Sequence, residues 1–171
     1  MTRRAFWASV AGAAIALLLL PAVVPSPLVL LWNASASVPI GLYAVHRPGR
    51  LHVGAIVVAR LPAPLAAWLA ARRSLPEGVP LVKPIAALGG QTVCRHGDTV
   101  SVDGKALALA QDRDHSGRPL PVWQGCHRLR PSQVFLMNPA RPDSLDGRYF
   151  GPLPVSSIIG RATPLWLPQE P

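Results

Sequence analysis

The chain has 171 residues, 50% of them hydrophobic and 15% charged, with 14 Gly, 20 Pro and a formal net charge of +9. That length holds one ordinary domain and a short accessory segment and excludes two large domains, while the apolar content excludes a disordered chain. Gly and Pro are scattered through apolar runs without a repeat, which excludes collagen-like and linker sequences, and so many prolines favour strands and turns over a helix bundle.

Arg3 and Arg4 are followed by residues 5–32 without a charge. As one helix this stretch would measure about 42 Å at about 1.5 Å per residue, more than the roughly 30 Å hydrocarbon core of a bilayer. Segment 1–32 therefore reads as an N-terminal membrane anchor with one transmembrane helix. The arginines before it hold the N-terminus in the cytoplasm and place residues 33–171 outside. Pro21, Pro25 and Pro27 would kink or end the helix near residue 20, leaving 21–32 along the outer membrane surface. Ala34-Ser35-Ala36 has the A-x-A form at which an export signal is cut, but the apolar stretch exceeds the about 7–15 residues of such a signal, which favours a retained anchor.

Beyond the anchor, 40–45 and 55–60 are short apolar runs bounded by Gly and Pro and predict strands. Residues 62–73 place Leu65, Trp68, Leu69, Arg72 and Arg73 at helical spacing with prolines at the start, predicting a short helix. Residues 81–88 predict an apolar strand interrupted by Pro84. Residues 99–107, with Asp103-Gly104 between alternating residues, predict a hairpin. A polar excursion over 111–131 and closing strands at 132–138 and 158–166 complete a mainly β domain. No repeat or second linker is visible.

Fifteen basic residues face eight acids beyond the anchor. No basic run interleaves with aromatics, so nucleic acid is not an expected partner, whereas anionic headgroups or plain solvation fit. Cys94 and Cys126 both lie beyond the anchor and form a candidate disulfide in an oxidising compartment. Two unpaired thiols, or a metal site joining them to His96 and His127, are the other readings, and the spacing is wrong for zinc.

With 15 Arg and 2 Lys, each lysine is informative. Lys83 lies in the apolar run Leu81-Val82-Lys83-Pro84-Ile85-Ala86, where desolvation lowers an amine pKa and makes available a neutral general base, which arginine cannot provide. The alternative is a stem packed on the strand with its ammonium in water. Lys105, after the Asp103-Gly104 turn, reads as solvated. Ser35 and Ser37 follow the apolar segment, and Pro39 and Gly41 would hold Ser37 at the start of a strand with its hydroxyl exposed. Serine becomes a nucleophile once a base takes its proton, and Ser-Lys is one recognised pairing. The histidines lack metal spacing, and a Ser-His-Asp arrangement through Asp114-His115 would rest on a polar loop.

Four segments in order carry a resemblance: Ser37-Val38-Pro39-Ile40-Gly41-Leu42-Tyr43, Gly54-Ala55-Ile56-Val57-Val58, Leu81-Val82-Lys83-Pro84-Ile85-Ala86-Ala87-Leu88-Gly89-Gly90, and Asp143-Ser144-Leu145-Asp146-Gly147-Arg148-Tyr149-Phe150-Gly151. The chain resembles the type I signal peptidases, and most closely the conjugative-transfer (TraF) type. The resemblance implies a signal-peptidase-like β-rich catalytic domain after one transmembrane helix, in the inner membrane and facing the periplasm. It implies a serine endopeptidase with Ser37 as nucleophile, Lys83 as general base and Ser35 as oxyanion support. It also implies that Ser144, Asp146 and Arg148 support the site and that no cofactor or metal is required. The implied partners are a pilin or other membrane-bound precursor, the bilayer and other conjugation-apparatus proteins, with pilin cyclisation as one outcome. Pro84 and Gln91 stand where general leader peptidases commonly carry a basic and an acidic residue, and Ala55 where an acid is frequent, which favours a specialised peptidase. The rivals are a general leader peptidase and a non-catalytic, membrane-tethered component of a conjugation or secretion apparatus.

Overall fold

The computed structural model of the chain describes residues 3, 6, 7, 9–15 and 29–168. Its strands are β1 Val29–Asn33, β2 Gly41–His46, β3 Ile56–Ala59, β4 Leu81–Leu88, β5 Thr92–His96, β6 Thr99–Val102, β7 Lys105–Leu109, β8 Gly125–Arg128, β9 Gln133–Leu136, β10 Leu153–Pro154 and β11 Ile158–Trp166. Helix α1 spans Ala63–Ala71 and the one-turn helix α2 spans Gly147–Phe150. A seven-stranded antiparallel sheet has the order β1-β2-β11-β3-β4-β9-β10, and a four-stranded sheet the order β7-β6-β5-β8. The domain is β-rich, as its composition requires.

Strand β4 lies inside the large sheet, between β3 and β9. Side chains alternate across a strand, and here both faces are covered. Leu81 and Ile85, two residues either side of Lys83, pack with Val57, Ala59, Leu69, Val134 and Leu136. Val82 joins Val38, Tyr43, Val45, Val58 and Ala162 in a second cluster. A lysine at position 83 thus has apolar neighbours along its own strand and across it, and its side chain is 1% exposed. The packed stem with a solvated ammonium is thereby excluded. A third cluster, with Ala87, Val93, Val100, Phe135 and Met137, joins the two sheets.

The hairpin β6–β7 turns on Asp103 (φ 48) and Gly104 (φ 81), the two positive angles that an Asp-Gly type I′ turn demands. Helix α1 has proline in its first turn and buries Leu69 against the core, a contribution of roughly 2 kcal/mol. Arg72, just past its end, lies over the Trp68 ring at 4.3 Å.

Three expectations about the elements are corrected. Residues 29–33 are not part of a helical anchor but form β1, whose Trp32 and Asn33 pair with Leu42 and Gly41 of β2. The boundary drawn at 32/33 therefore cuts a strand. Residues 9–15 are helical, but most of the 5–28 span lies outside the described residues. Among the described residues, no helix is long and apolar enough to cross a membrane. Pro84 does not interrupt β4: it sits opposite Ile56, and its carbonyl accepts the Met137 N–H at 3.2 Å. The excursion at 111–131 is not all loop, since Gly125–Arg128 pairs with β5, which was itself not predicted.

Gly41 opens β2 with φ 153, and a Cβ there would press into the Trp166 carbonyl oxygen and the Leu167 side chain. Gly41→Ala is expected to lose about 2–3 kcal/mol through strain and overpacking. Gly54→Ala, at φ +87 with nothing within 4 Å of the added methyl, is expected to lose only about 1 kcal/mol. Denaturation midpoints of the two variants check the difference.

Candidate active site

Ser37 lies in the turn between β1 and β2 rather than at the start of a strand, and is half-buried. Main-chain carbonyls in such a turn have no ladder partners, and side chains supply them. Asn33, the last residue of β1 and 4% exposed, donates from Nδ2 to the carbonyls of Ser35 at 2.8 Å, Val38 at 3.1 Å and Pro39 at 3.1 Å. Its Oδ1 accepts from the Ser35 backbone N–H at 3.3 Å and the Ser35 hydroxyl at 3.0 Å. The Tyr43 hydroxyl donates to the Pro39 carbonyl at 2.6 Å. The turn is thus pinned from both strands, with the Ser35 hydroxyl directed at Asn33.

Lys83 meets this turn from the core. Its Nζ donates to Ser37 Oγ at 2.7 Å and to Ser144 Oγ at 2.6 Å. Burial lowers its pKa to about 8; the Asp146 carboxylate opposes that shift, Arg148 adds to it and Asp143 opposes it. As an ammonium, Lys83 donates to both hydroxyls. Once neutral, it keeps an N–H for Ser144 and presents a lone pair that can accept the Ser37 proton.

Asp146 and Arg148 form a fully buried pair. Asp146 caps α2 by accepting the Arg148 backbone N–H at 3.1 Å. The guanidinium donates back, from Nε at 2.9 Å and Nη2 at 2.9 Å, and Nη2 also reaches the carbonyls of Asn138 at 2.9 Å and Arg141 at 2.6 Å. Neither residue hydrogen-bonds Ser37 or Lys83 directly. Asn138 stands between: its backbone N–H donates to Asp146 Oδ2 at 3.1 Å, and its Nδ2 donates to the Ser37 carbonyl at 2.6 Å. From the small sheet, the fully buried Arg95 donates to the Arg148 carbonyl at 2.9 Å, and Trp123, in the segment before β8, donates from Nε1 to that of Gly147 at 3.1 Å.

Ser37, Lys83 and Ser144 thus come together, Ser35 lies beside them through Asn33, and Asp146 and Arg148 stand further out. Ser35, Ser37, Lys83 and Ser144 line a cleft of about 800 Å³ whose walls also include Leu69 of α1, Gln111, His115 and Tyr149. Cys94 and Cys126 are directly opposite on β5 and β8 and are joined by a disulfide. With His96 they form the one grouping of three potential metal ligands among the described residues, and its sulfurs are bonded to each other. The Asp114 carboxylate is occupied by Arg72 and Arg118, each at 2.8 Å, rather than by His115.

Sequence reasoning missed Asn33, Asn138 and Arg95. Asn33 had a usable signal, because Asn two residues before Ser35 is an Asx-turn pattern. Asn138 had none, since its partner is a main-chain oxygen remote in sequence.

Residues 2–167 match the family described as signal peptidase, peptidase S26. The chain is 33% identical over 143 residues to a probable conjugal transfer protein TraF of Sinorhizobium fredii, covering 76% of this chain and 73% of that protein. It is 33% identical over 135 residues to a plasmid transfer protein TraF of Escherichia coli, covering 77% and 72%. It is 31% identical over 144 residues to the conjugal transfer protein TraF of Agrobacterium fabrum, covering 78% and 80%. A crystal structure of a signal peptidase I from Enterococcus faecalis aligns with 20% identity and a TM-score of 0.40, over 68% of this chain and 99% of that one.

The buried amine makes a stability prediction. Folding lowers the Lys83 pKa from 10.5 to about 8, so between those values the unfolded chain binds more protons and stability rises with pH. The cost, fully present below pH 8 and gone above 10.5, is roughly 3 kcal/mol. Relative to Lys83→Met, the wild type should therefore gain stability between pH 8 and 10.5 and show a constant difference below pH 7, measured by urea denaturation across that range.

Proposed function

Since the chain belongs to the signal peptidase family, peptidase S26, we propose that it is a membrane-anchored serine endopeptidase that cuts a pilin precursor for conjugative transfer through a Ser37-Lys83 dyad. The observation that carries this reading is the 2.7 Å contact between Ser37 Oγ and a Lys83 amine whose pKa is about 8. The conjugation setting rests on the names of the TraF relatives.

Neutral Lys83 takes the Ser37 proton as Oγ attacks the scissile carbonyl carbon, and the carbonyl π pair moves onto oxygen. The backbone N–H of Ser37 and the Ser35 hydroxyl, released from Asn33, meet the oxyanion. Collapse breaks the C–N bond, and the proton on Lys83 passes to the leaving amine. Water resolves the acyl-enzyme to a linear product, or a pilin amine to a circular one. Ser144 holds the lysine amine throughout.

The segment before β1 anchors the protein in the inner membrane with its catalytic domain in the periplasm. Exposed Leu30, Trp32, Ile40, Leu165 and Trp166 flank the Ser37 turn, and the Trp32 and Trp166 rings lie 5.9 Å apart. Indole rings favour the membrane–water interface, which supports a site that meets precursors still in the bilayer.

Co-expression of the pilin precursor with wild type, Ser37→Ala or Lys83→Ala at equal membrane levels, followed by mass spectrometry, tests the reading. Processing by the wild type and by neither variant is expected. Unchanged processing in both variants would replace the peptidase with a non-catalytic apparatus component. For the wild type, kcat/KM should rise about tenfold per pH unit below pH 8 and level off above it, because only the neutral amine can take the proton.

A further inference from the structure

We propose that Asn138 is a positioning residue that ties the buried Asp146–Arg148 pair to Ser37 and sets the direction of its hydroxyl by holding its carbonyl. The inference rests on the Ser37-Lys83 reading and adds to it the route by which a pair that touches neither residue acts on the site.

Asn138 follows β9, the strand next to β4, so it is delivered to the same end of the sheet as Lys83. Its main chain is clamped on both polar groups: the N–H donates to Asp146 Oδ2 at 3.1 Å, and the carbonyl accepts from Arg148 Nη2 at 2.9 Å. Its side chain is fixed as well, because Oδ1 accepts the Ala140 N–H at 2.9 Å, which leaves Nδ2 facing the Ser37 carbonyl at 2.6 Å. A flipped amide would set oxygen against oxygen and N–H against N–H, so the two contacts together fix the orientation.

Rotation about the Cα–C bond of Ser37 is thereby restrained from outside the turn, and Asn33 restrains the next two carbonyls, of Val38 and Pro39. Among the described residues, Asn138 is the one that hydrogen-bonds both the pair and Ser37. The pair is rigid for a physical reason. Two fully buried opposite charges with several hydrogen bonds each are costly to separate, because either one left alone would be an unpaired buried charge, so they form a fixed point in the core. Asn138 transfers that fixed point to a surface turn.

Asn138→Ala removes only the amide, leaving the backbone contacts to Asp146 and Arg148. Asn138→Asp keeps an acceptor for Ala140 and removes the donor to Ser37. Both variants are expected to lower kcat for the precursor about a hundredfold, with KM within about twofold and a thermal midpoint within about 2 °C of wild type. A second readout is the alkylation rate of the thiol introduced by Ser37→Cys in the full-length membrane protein, followed against pH with iodoacetamide and without reductant. Cys94 and Cys126 are silent there because they are joined.

Beside the Lys83 ammonium, the introduced thiol should titrate below the about 8.5 of a free thiol. Lys83→Ala should raise that midpoint, and Asn138→Ala should raise it part of the way. A Lys83→Ala variant that leaves the midpoint unmoved defeats the dyad reading itself. A midpoint that moves with Lys83→Ala but not with Asn138→Ala, or an Asn138→Asp variant as active as wild type, defeats only the role given to Asn138. A fall in kcat that merely tracks a lost thermal midpoint also defeats it, since loosened folding would then account for the loss.

Discussion

The structure depends on keeping one amine out of water. Lys83 sits on an interior strand with apolar clusters on both faces, and among the described residues no carboxylate is hydrogen-bonded to it. A carboxylate close enough to pair would raise the amine pKa back toward that of free lysine. The fold contains such a carboxylate nearby, Asp146, and removes it from competition by committing both its oxygens to Arg148, the α2 backbone and Asn138. Lys83 is left with two hydroxyl partners, groups that accept from an ammonium and remain compatible with a neutral amine. The pKa of about 8 is the balance of that burial against a carboxylate held at a distance.

The same constraint explains why Ser37 lies in a turn and not in a strand. A strand residue has its carbonyl and N–H committed to the ladder, and on the proposed reading the N–H of Ser37 must be available to a substrate. A turn frees the N–H and also frees everything else, so the molecule spends side chains on restoring order. Asn33 serves the carbonyls of Ser35, Val38 and Pro39, Tyr43 shares that of Pro39, and Asn138 takes that of Ser37. Pro39 and the positive φ of Gly41 limit the conformations that remain. Each of these residues except Asn138 belongs to β1, β2 or their turn, which is why the local motif is compact in sequence.

That compactness accounts for what could be read in advance. The strands at 40–45, 55–60 and 81–88, helix α1 and the Asp103-Gly104 hairpin follow from local pattern and turn chemistry, and Lys83 stands out against a composition of 15 Arg and 2 Lys. Strand β1 was hidden because an apolar run has no period that separates helix from strand. Strand β8 carries no buried side chain, so it has no pattern to find and exists through its pairing with β5. Strand β5 was hidden for the opposite reason. Its inward face reads Val93 then Arg95, both fully buried, and a charged residue at a core position defeats an apolar alternation.

Arg95 shows why such exceptions concentrate around the site. A buried guanidinium is costly unless its charge and donors are met; the Arg95 Nη2 lies 4.0 Å from the Asp98 carboxylate, and Arg95 donates to the main-chain carbonyls of Gly97 at 3.1 Å and Arg148 at 2.9 Å. Carbonyls remain acceptors whatever side chain their residue carries, so this contact fixes the position of α2 without constraining which side chains α2 presents. The small sheet then works as a brace. The disulfide and the ladder hold β8 to β5, β5 delivers Arg95, and Arg95 holds the helix whose first turn carries the Asp146–Arg148 pair. A sheet that contributes no side chain to the Ser37-Lys83 contact thereby sets where the supporting charges stand, and sequence pattern is weakest where the fold carries charge through its core.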